Sequence, residues 1–188
     1  MHFLLSHGLN KDALAGRYIF LDNDFLSVIF SDGDALEDVL NLTEGSAFLM
    51  IDALTRFEFL RGVFLPARRA IAERFVDNEE AFMPAAEHPT IQKSIRDNSL
   101  ILSNLYAHQK CEGASTVDLF LAGRVMLHAP KALIITGNRK DFPGFLFDIA
   151  GVLNYDVEKS GQVRAYSVIE FNKDKYDQAV AKWRALGE

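Results

Sequence analysis

Short apolar runs that end in an acid or a glycine recur along the chain. Tyr18-Ile-Phe-Leu21 ends in Asp22 and Asp24, and a second apolar run starts at Phe25. A buried strand passing into a helix gives this pattern. The same reading places buried strands at Arg17 to Asp22, Ser46 to Asp52 and Lys131 to Thr136, and an alternating strand at Gln162 to Phe171. Helices are predicted at Asp24 to Phe30, Ala35 to Leu42, from Ala53 to Gly62, Pro66 to Glu80, Thr90 to Gln109 and Ser115 to His128. A closing helix is predicted from Asn172 to Leu186. Phe145 to Val152 reads as a short helix and Asn154 to Gly161 as a polar loop. Thr43-Glu-Gly45 and Cys111-Glu-Gly113 read as turns. Residues 1–16 read as an N-terminal extension, leaving one domain over 17–188. Strands alternating with helices predict an α/β fold with a mostly parallel sheet.

Composition narrows the class without naming a chemistry. The 188 residues suffice for one domain with a core. Fifteen Phe read as core material. The net charge of -6 gives no global attraction to nucleic acid, so such binding needs a local basic patch. The single cysteine, Cys111, excludes a disulfide framework within the chain and fits a reducing compartment. It reads as a small filler residue. No apolar run has the length of a membrane span. The first residues lack the basic start and long apolar region of a signal peptide. A cytoplasmic protein with no membrane contact is expected.

Acids at the ends of predicted elements carry the candidate chemistry. Asp22 closes the first strand, where an open parallel sheet places its ligands. Glu58 falls in the first turns of the helix after the second strand. Asp118 lies in the first turn of the helix after Gly113, and Asp141 in the loop after the third strand. Four carboxylates round one cavity raise one another's pKa unless a cation intervenes. Hard oxygen donors suit Mg²⁺ or Mn²⁺. Each acid also has a plainer role. Asp24 suits a helix N-cap, Asp141 a turn, and Thr55-Arg-Phe-Glu58 and Ser115-Thr-Val-Asp118 both read as capping boxes.

Four blocks together resemble a PIN domain. They are Leu21-Asp22-Asn23-Asp24-Phe25-Leu26-Ser27, Leu54-Thr-Arg-Phe-Glu58-Phe-Leu-Arg61-Gly62, Thr116-Val-Asp118-Leu-Phe-Leu-Ala-Gly123 and Ile134-Ile-Thr136-Gly-Asn138-Arg-Lys-Asp141-Phe142. Asp24 stands where the family usually has Asn, and Asn138 where it often has a further acid. The resemblance implies a three-layer α/β/α fold with strand order 3-2-1-4-5. It implies an Mg²⁺- or Mn²⁺-dependent ribonuclease of the VapC toxin type. Asp22, Glu58, Asp118 and Asp141 would be catalytic and metal-binding. Arg61, Thr136, Asn138 and Arg139 would contact substrate, with Lys140 and Arg124 as further phosphate contacts. The partners implied are RNA, an antitoxin protein and a second copy of the chain in a homodimer.

Two other readings compete. Asp22-x-Asp24 after a strand, with Thr55 beyond the second, also resembles haloacid-dehalogenase-type phosphatases. There Asp22 would be a nucleophile and Asp24 an acid/base. That family also needs a late pair of acids, which Thr136 to Asp141 does not supply. The remaining reading is a PIN-like binding module without catalysis.

Overall fold

Successive side chains of a strand face opposite sides of a sheet, and the first predicted strand uses both. Ile19 and Leu21 pack into one core, while Phe20 packs into another. A strand buried on both faces needs a helical layer above and below it. The computed structural model, which describes residues 3–6, 11–43, 47–111, 113–157 and 162–185, has this architecture.

The strands are β1 (Phe3–Ser6), β2 (Arg17–Leu21), β3 (Ala47–Ile51), β4 (Met83–Pro84), β5 (Ala132–Thr136), β6 (Phe147–Val157) and β7 (Gln162–Phe171). The helices are α1 (Lys11–Leu14), α2 (Asn23–Ser31), α3 (Gly33–Thr43), α4 (Ala53–Arg61), α5 (Pro66–Val76), α6 (Pro89–His108), α7 (Thr116–Leu127) and α8 (Lys173–Arg184). A 3-10 turn covers Arg139–Asp141. The expected Gly45 turn, the Ser46 strand start, Glu112, the loop to Gly161 and the helix end at Leu186 lie outside the described residues.

The strands form one mixed sheet in the order β1-β6-β7-β5-β2-β3-β4. β4, β3, β2 and β5 run parallel. The place beyond β5 is taken by β7, which is antiparallel. β6 and β7 form a long antiparallel pair, and β1 adds to β6. The stretch read as an N-terminal extension therefore contributes a strand to the sheet. Helices α2 to α5 cover one face, through Phe25, Val39, Phe59 and Val76. Helices α6 to α8 cover the other, through Leu102, Leu105, Leu121, Val125 and Ala179. The α/β class is as expected.

Two expectations are corrected. Phe145 to Val152 is not a helix, and the stretch from Asn154 is not a loop as far as Val157, because β6 runs from Phe147 to Val157. A bulge between Ile149 and Gly151 is the physical reason. Phe147 packs with Ile169 and Phe171 on one face, but Leu153 packs with Tyr166 and Val168 on the other. One extra residue shifts the phase of the alternation, which hides the period of two that marks a strand.

Candidate functional site

The parallel strands deliver their carboxyl ends to one edge of the sheet. β2 is followed by Asp22 and β3 by Asp52, and β5 ends on Thr136. Each strand must turn into another element there, and a carboxylate or hydroxyl satisfies the backbone groups left open. Asp22 caps α2 by accepting from the Asn23 amide at 2.7 Å. Asp52 caps α4 by accepting from the Leu54 amide at 2.8 Å. Thr55 thus lies inside α4, and Thr55-Arg-Phe-Glu58 is not the capping box that the sequence suggests. Ser115 and Asp118 do form one at the start of α7, and it engages Asp118 Oδ2.

A hydrogen-bond chain ties the β2 and β5 exits together. The buried Thr136 hydroxyl donates to Asp22 Oδ2 at 2.6 Å and accepts from the Asn138 amide at 2.9 Å. Asn138 Nδ2 donates to Asp141 Oδ2 at 2.5 Å. The Gly137 amide donates to Asp24 Oδ2 at 2.8 Å. A Cβ on Gly137 would stand 2.4 Å from that oxygen and 3.2 Å from the Tyr166 ring, so only glycine permits this approach. On the far side Tyr106 donates its hydroxyl to the Asp141 carbonyl at 2.8 Å.

The acids feel one another's charge. Burial pushes the Asp22 carboxyl up to about 7 against the pull of Thr136, and Asp24 and Asp118 add to the rise. Burial pushes Asp141 up to about 6, again with Asp118 and Asp24 contributing. Asp24 is raised by burial and by Asp118. Asp22, Asp24, Asp118 and Asp141 therefore make one electrostatic group. Glu58 is not among the charges acting on them. It lines an adjoining cleft with Asn23, Ser27 and Arg68, and its nearest cation is Arg61 at 3.9 Å.

The donor chemistry suits a hard divalent cation, since four carboxylates, two of them held partly protonated by burial and repulsion, are relieved by positive charge. Among the described residues no three His, Cys, Asp or Glu side chains are arranged to hold a metal ion as they stand. Binding would draw the carboxylates inward.

The basic candidates separate into two kinds. Arg61, Arg139 and Lys140 are exposed, the last two on the turn that carries Asp141. Arg124 is 1% exposed and not available to a phosphate. Its Nε pairs with buried Asp52, while its other nitrogens donate to the Ala86 carbonyl at 2.9 Å and Glu87 at 3.0 Å. It ties the end of β3 and the approach to α6 onto α7.

Sequence reasoning paired Asp24 with Asp22 as carboxylates suited to a divalent cation, and also read it as a helix cap, a phosphatase acid/base and a departure from the PIN pattern; the charges place it in the acidic group. Sequence reasoning missed Tyr106 and Tyr166 altogether. Both are aromatic residues on apolar faces, and nothing in their spacing sets them apart from core. No family model matches the chain, and neither does any curated protein. Among the described residues no helix is long and apolar enough to cross a membrane.

Proposed function

We propose that the protein is a metal-dependent ribonuclease of the PIN type, in which Asp22, Asp24, Asp118 and Asp141 hold Mg²⁺ or Mn²⁺. The observation that carries this reading is the mutual charge of those four carboxylates at the carboxyl ends of β2 and β5. The parallel run β4-β3-β2-β5 supports it, because this is the order 3-2-1-4 when β2 is counted first. A bound divalent cation supplies an activated water and neutralises charge on the phosphate.

The chain's own residues prepare the site. Thr136 fixes the Asp22 carboxylate by its hydroxyl hydrogen bond and keeps Oδ2 in one orientation. Gly137 does the same for Asp24 through its amide. Asp22, whose carboxyl is raised to about 7 by burial, would hold the cation as its carboxylate, the form a hard divalent ion favours. Arg139 and Lys140 supply exposed positive charge beside Asp141, where the RNA backbone would be held. A neutralising antitoxin and a homodimer remain part of this reading as partners in a cytoplasmic toxin pair.

A non-catalytic binding module is the second reading. It draws on the absence, among the described residues, of three acids arranged round an ion. Calorimetric titration of Mn²⁺ into wild type and Asp118→Asn, followed by cleavage of mixed-sequence RNA, separates the two. The ribonuclease reading expects binding and cleavage that both fail in the variant. No Mn²⁺ binding by wild type contradicts it.

A further inference from the structure

The sheet is incomplete along the edge farthest from β1. β4 forms that edge, and its two residues pair with Met50 and Ile51. β3 begins at Ala47, so Ala47 to Leu49 have β2 on one side and no strand on the other among the described residues. The Ala85 amide donates across this edge to the Ile51 carbonyl at 3.2 Å. Successive residues of a strand turn their backbone groups to opposite sides, so Ala47 and Leu49 direct theirs the same way as Ile51. An edge of this kind is a template for a further strand.

The chain leaves that place open. Before β4 it turns tightly, with the Ala81 and Phe82 amides donating to the Asn78 carbonyl at 3.1 and 2.9 Å. A cleft of about 360 Å³ lies between this turn, the first half of β3 and the end of α3. Its apolar wall includes Leu40 from α3, Phe48 from β3 and Met83 from β4. Phe48 is 45% exposed and Met83 42%, so both present apolar surface at the open edge. Among the described residues that line the cleft, only Glu79 and Glu80 are charged. Both are exposed, and neither forms an ion pair among the described residues.

We propose that this edge receives an extended segment of a partner protein, one with an apolar centre flanked by lysine or arginine. The segment adds to the sheet beside Ala47 to Leu49. Main-chain hydrogen bonds hold it, its apolar side chains cover Phe48 and Met83, and Glu79 and Glu80 select its charge. Charge also decides between occupants. A second copy paired edge to edge sets Glu79 and Glu80 against their own counterparts, and a nucleic acid is repelled by them. Three residues of strand span only about 10 Å, so the cationic flanks matter as much as the pairing. The cleft stands at the amino end of β3, whereas Asp22 and Asp141 follow the carboxyl ends of β2 and β5. The proposal is therefore independent of the ribonuclease reading.

The test uses synthetic peptides with a valine–phenylalanine–valine centre. One is flanked by lysines, one by glutamates, and one carries the lysines but has its central amides N-methylated. Each is labelled and titrated with the full chain, read by fluorescence anisotropy and by the backbone amide shifts of the protein. The lysine-flanked peptide is expected to bind about tenfold or more tighter than the glutamate-flanked one. Its shifts should centre on Ala47 to Leu49 and Glu79 to Met83. N-methylation should weaken it about tenfold, because strand pairing needs the peptide's donors. The double variant Glu79→Gln with Glu80→Gln, both at exposed positions, should bring the two flanked peptides within about threefold of each other. Equal affinities in wild type, or a preference that the double variant keeps, would overturn the proposal. So would binding that N-methylation leaves unchanged, which is charge attraction without a strand. Shifts centred on the Asp22–Asp24 turn would overturn it by sending the cationic peptide to the other acids. Shifts at β3 that appear on concentrating the protein alone would give the edge to a second copy instead. Absence of binding by every peptide would overturn it and leave Glu79 and Glu80 as guards against edge pairing.

Discussion

Asp22 answers to several demands through one carboxylate. Its position after β2 buries it, its Oδ1 caps α2, and its Oδ2 is held by Thr136. Burial dominates, so the folded chain holds a proton on Asp22 until about pH 7 where the unfolded chain loses it near 3.8. The folded state therefore binds more protons between those values. Without metal, the stability of the protein should fall as pH rises from about 4 to about 7, on the order of 4 kcal/mol for this group. Thermal melts of EDTA-treated protein check this, and Asp22→Asn should flatten the profile. Mn²⁺ competes with that proton, so its affinity should rise over the same interval. Gly137→Ala tests the neighbouring acid. A methyl there would displace the Asp24 carboxylate, a side-chain end free to move. The fold should survive, and Mn²⁺ affinity should drop about 10- to 100-fold in calorimetry.

The buried pair of Asp52 and Arg124 shows a different use of charge. With Asp52 replaced by Ala, Arg124 would remain interior without its buried carboxylate, keeping only the more exposed Glu87. Chemical denaturation should show a loss of roughly 3–5 kcal/mol. The sequence signals these two residues poorly. Asp52 ends a strand as Asp22 does, and the arginine sits in a block of acidic and apolar residues. Only packing decides that one strand-end acid meets other acids while the other meets a cation.

At the scale of elements, α6 and α7 cross closely because α7 carries Gly123 at the contact. A Cβ there would stand 2.5 Å from Ser99 Oγ and 2.8 Å from the Ile95 carbonyl. Gly123→Ala should destabilise the protein by about 1–3 kcal/mol in the same denaturation assay. It should also disturb Asp118, which rides on the first turn of α7. Elements whose pattern follows one period were legible from the sequence. The apolar run of β5 is buried at every residue, and α6 keeps helical spacing through Ile95, Leu102 and Leu105. β6 was not legible, because its bulge shifts the inward positions midway. β4 is two residues long, too short for any period to show. Among the acids, strand-end position marked Asp22 correctly as a residue of the sheet edge. Helical position did not show that Glu58 lines the cleft it shares with Asn23, since that depends on how α4 packs against α2.

The whole molecule is acidic, yet its proposed substrate is a polyanion. The net charge of -6 opposes RNA at long range, so the exposed cations beside the carboxylates must hold it locally. Arg139 and Lys140 are on the turn that carries Asp141, and Arg61 ends α4. RNA affinity should fall with salt along a shallow slope that reflects few phosphates. Arg139→Ala should reduce that slope by about 0.7 in a log–log plot. The sheet explains why cations and acids meet at one edge, since β2, β3 and β5 run parallel and end together. The most direct measurement of the central claim is cleavage of a structured RNA by EDTA-treated protein, with and without added Mn²⁺, beside Asp22→Asn. The account predicts cutting only when Mn²⁺ is present and none by the variant. Cutting that persists in EDTA, or that Asp22→Asn retains, would contradict it.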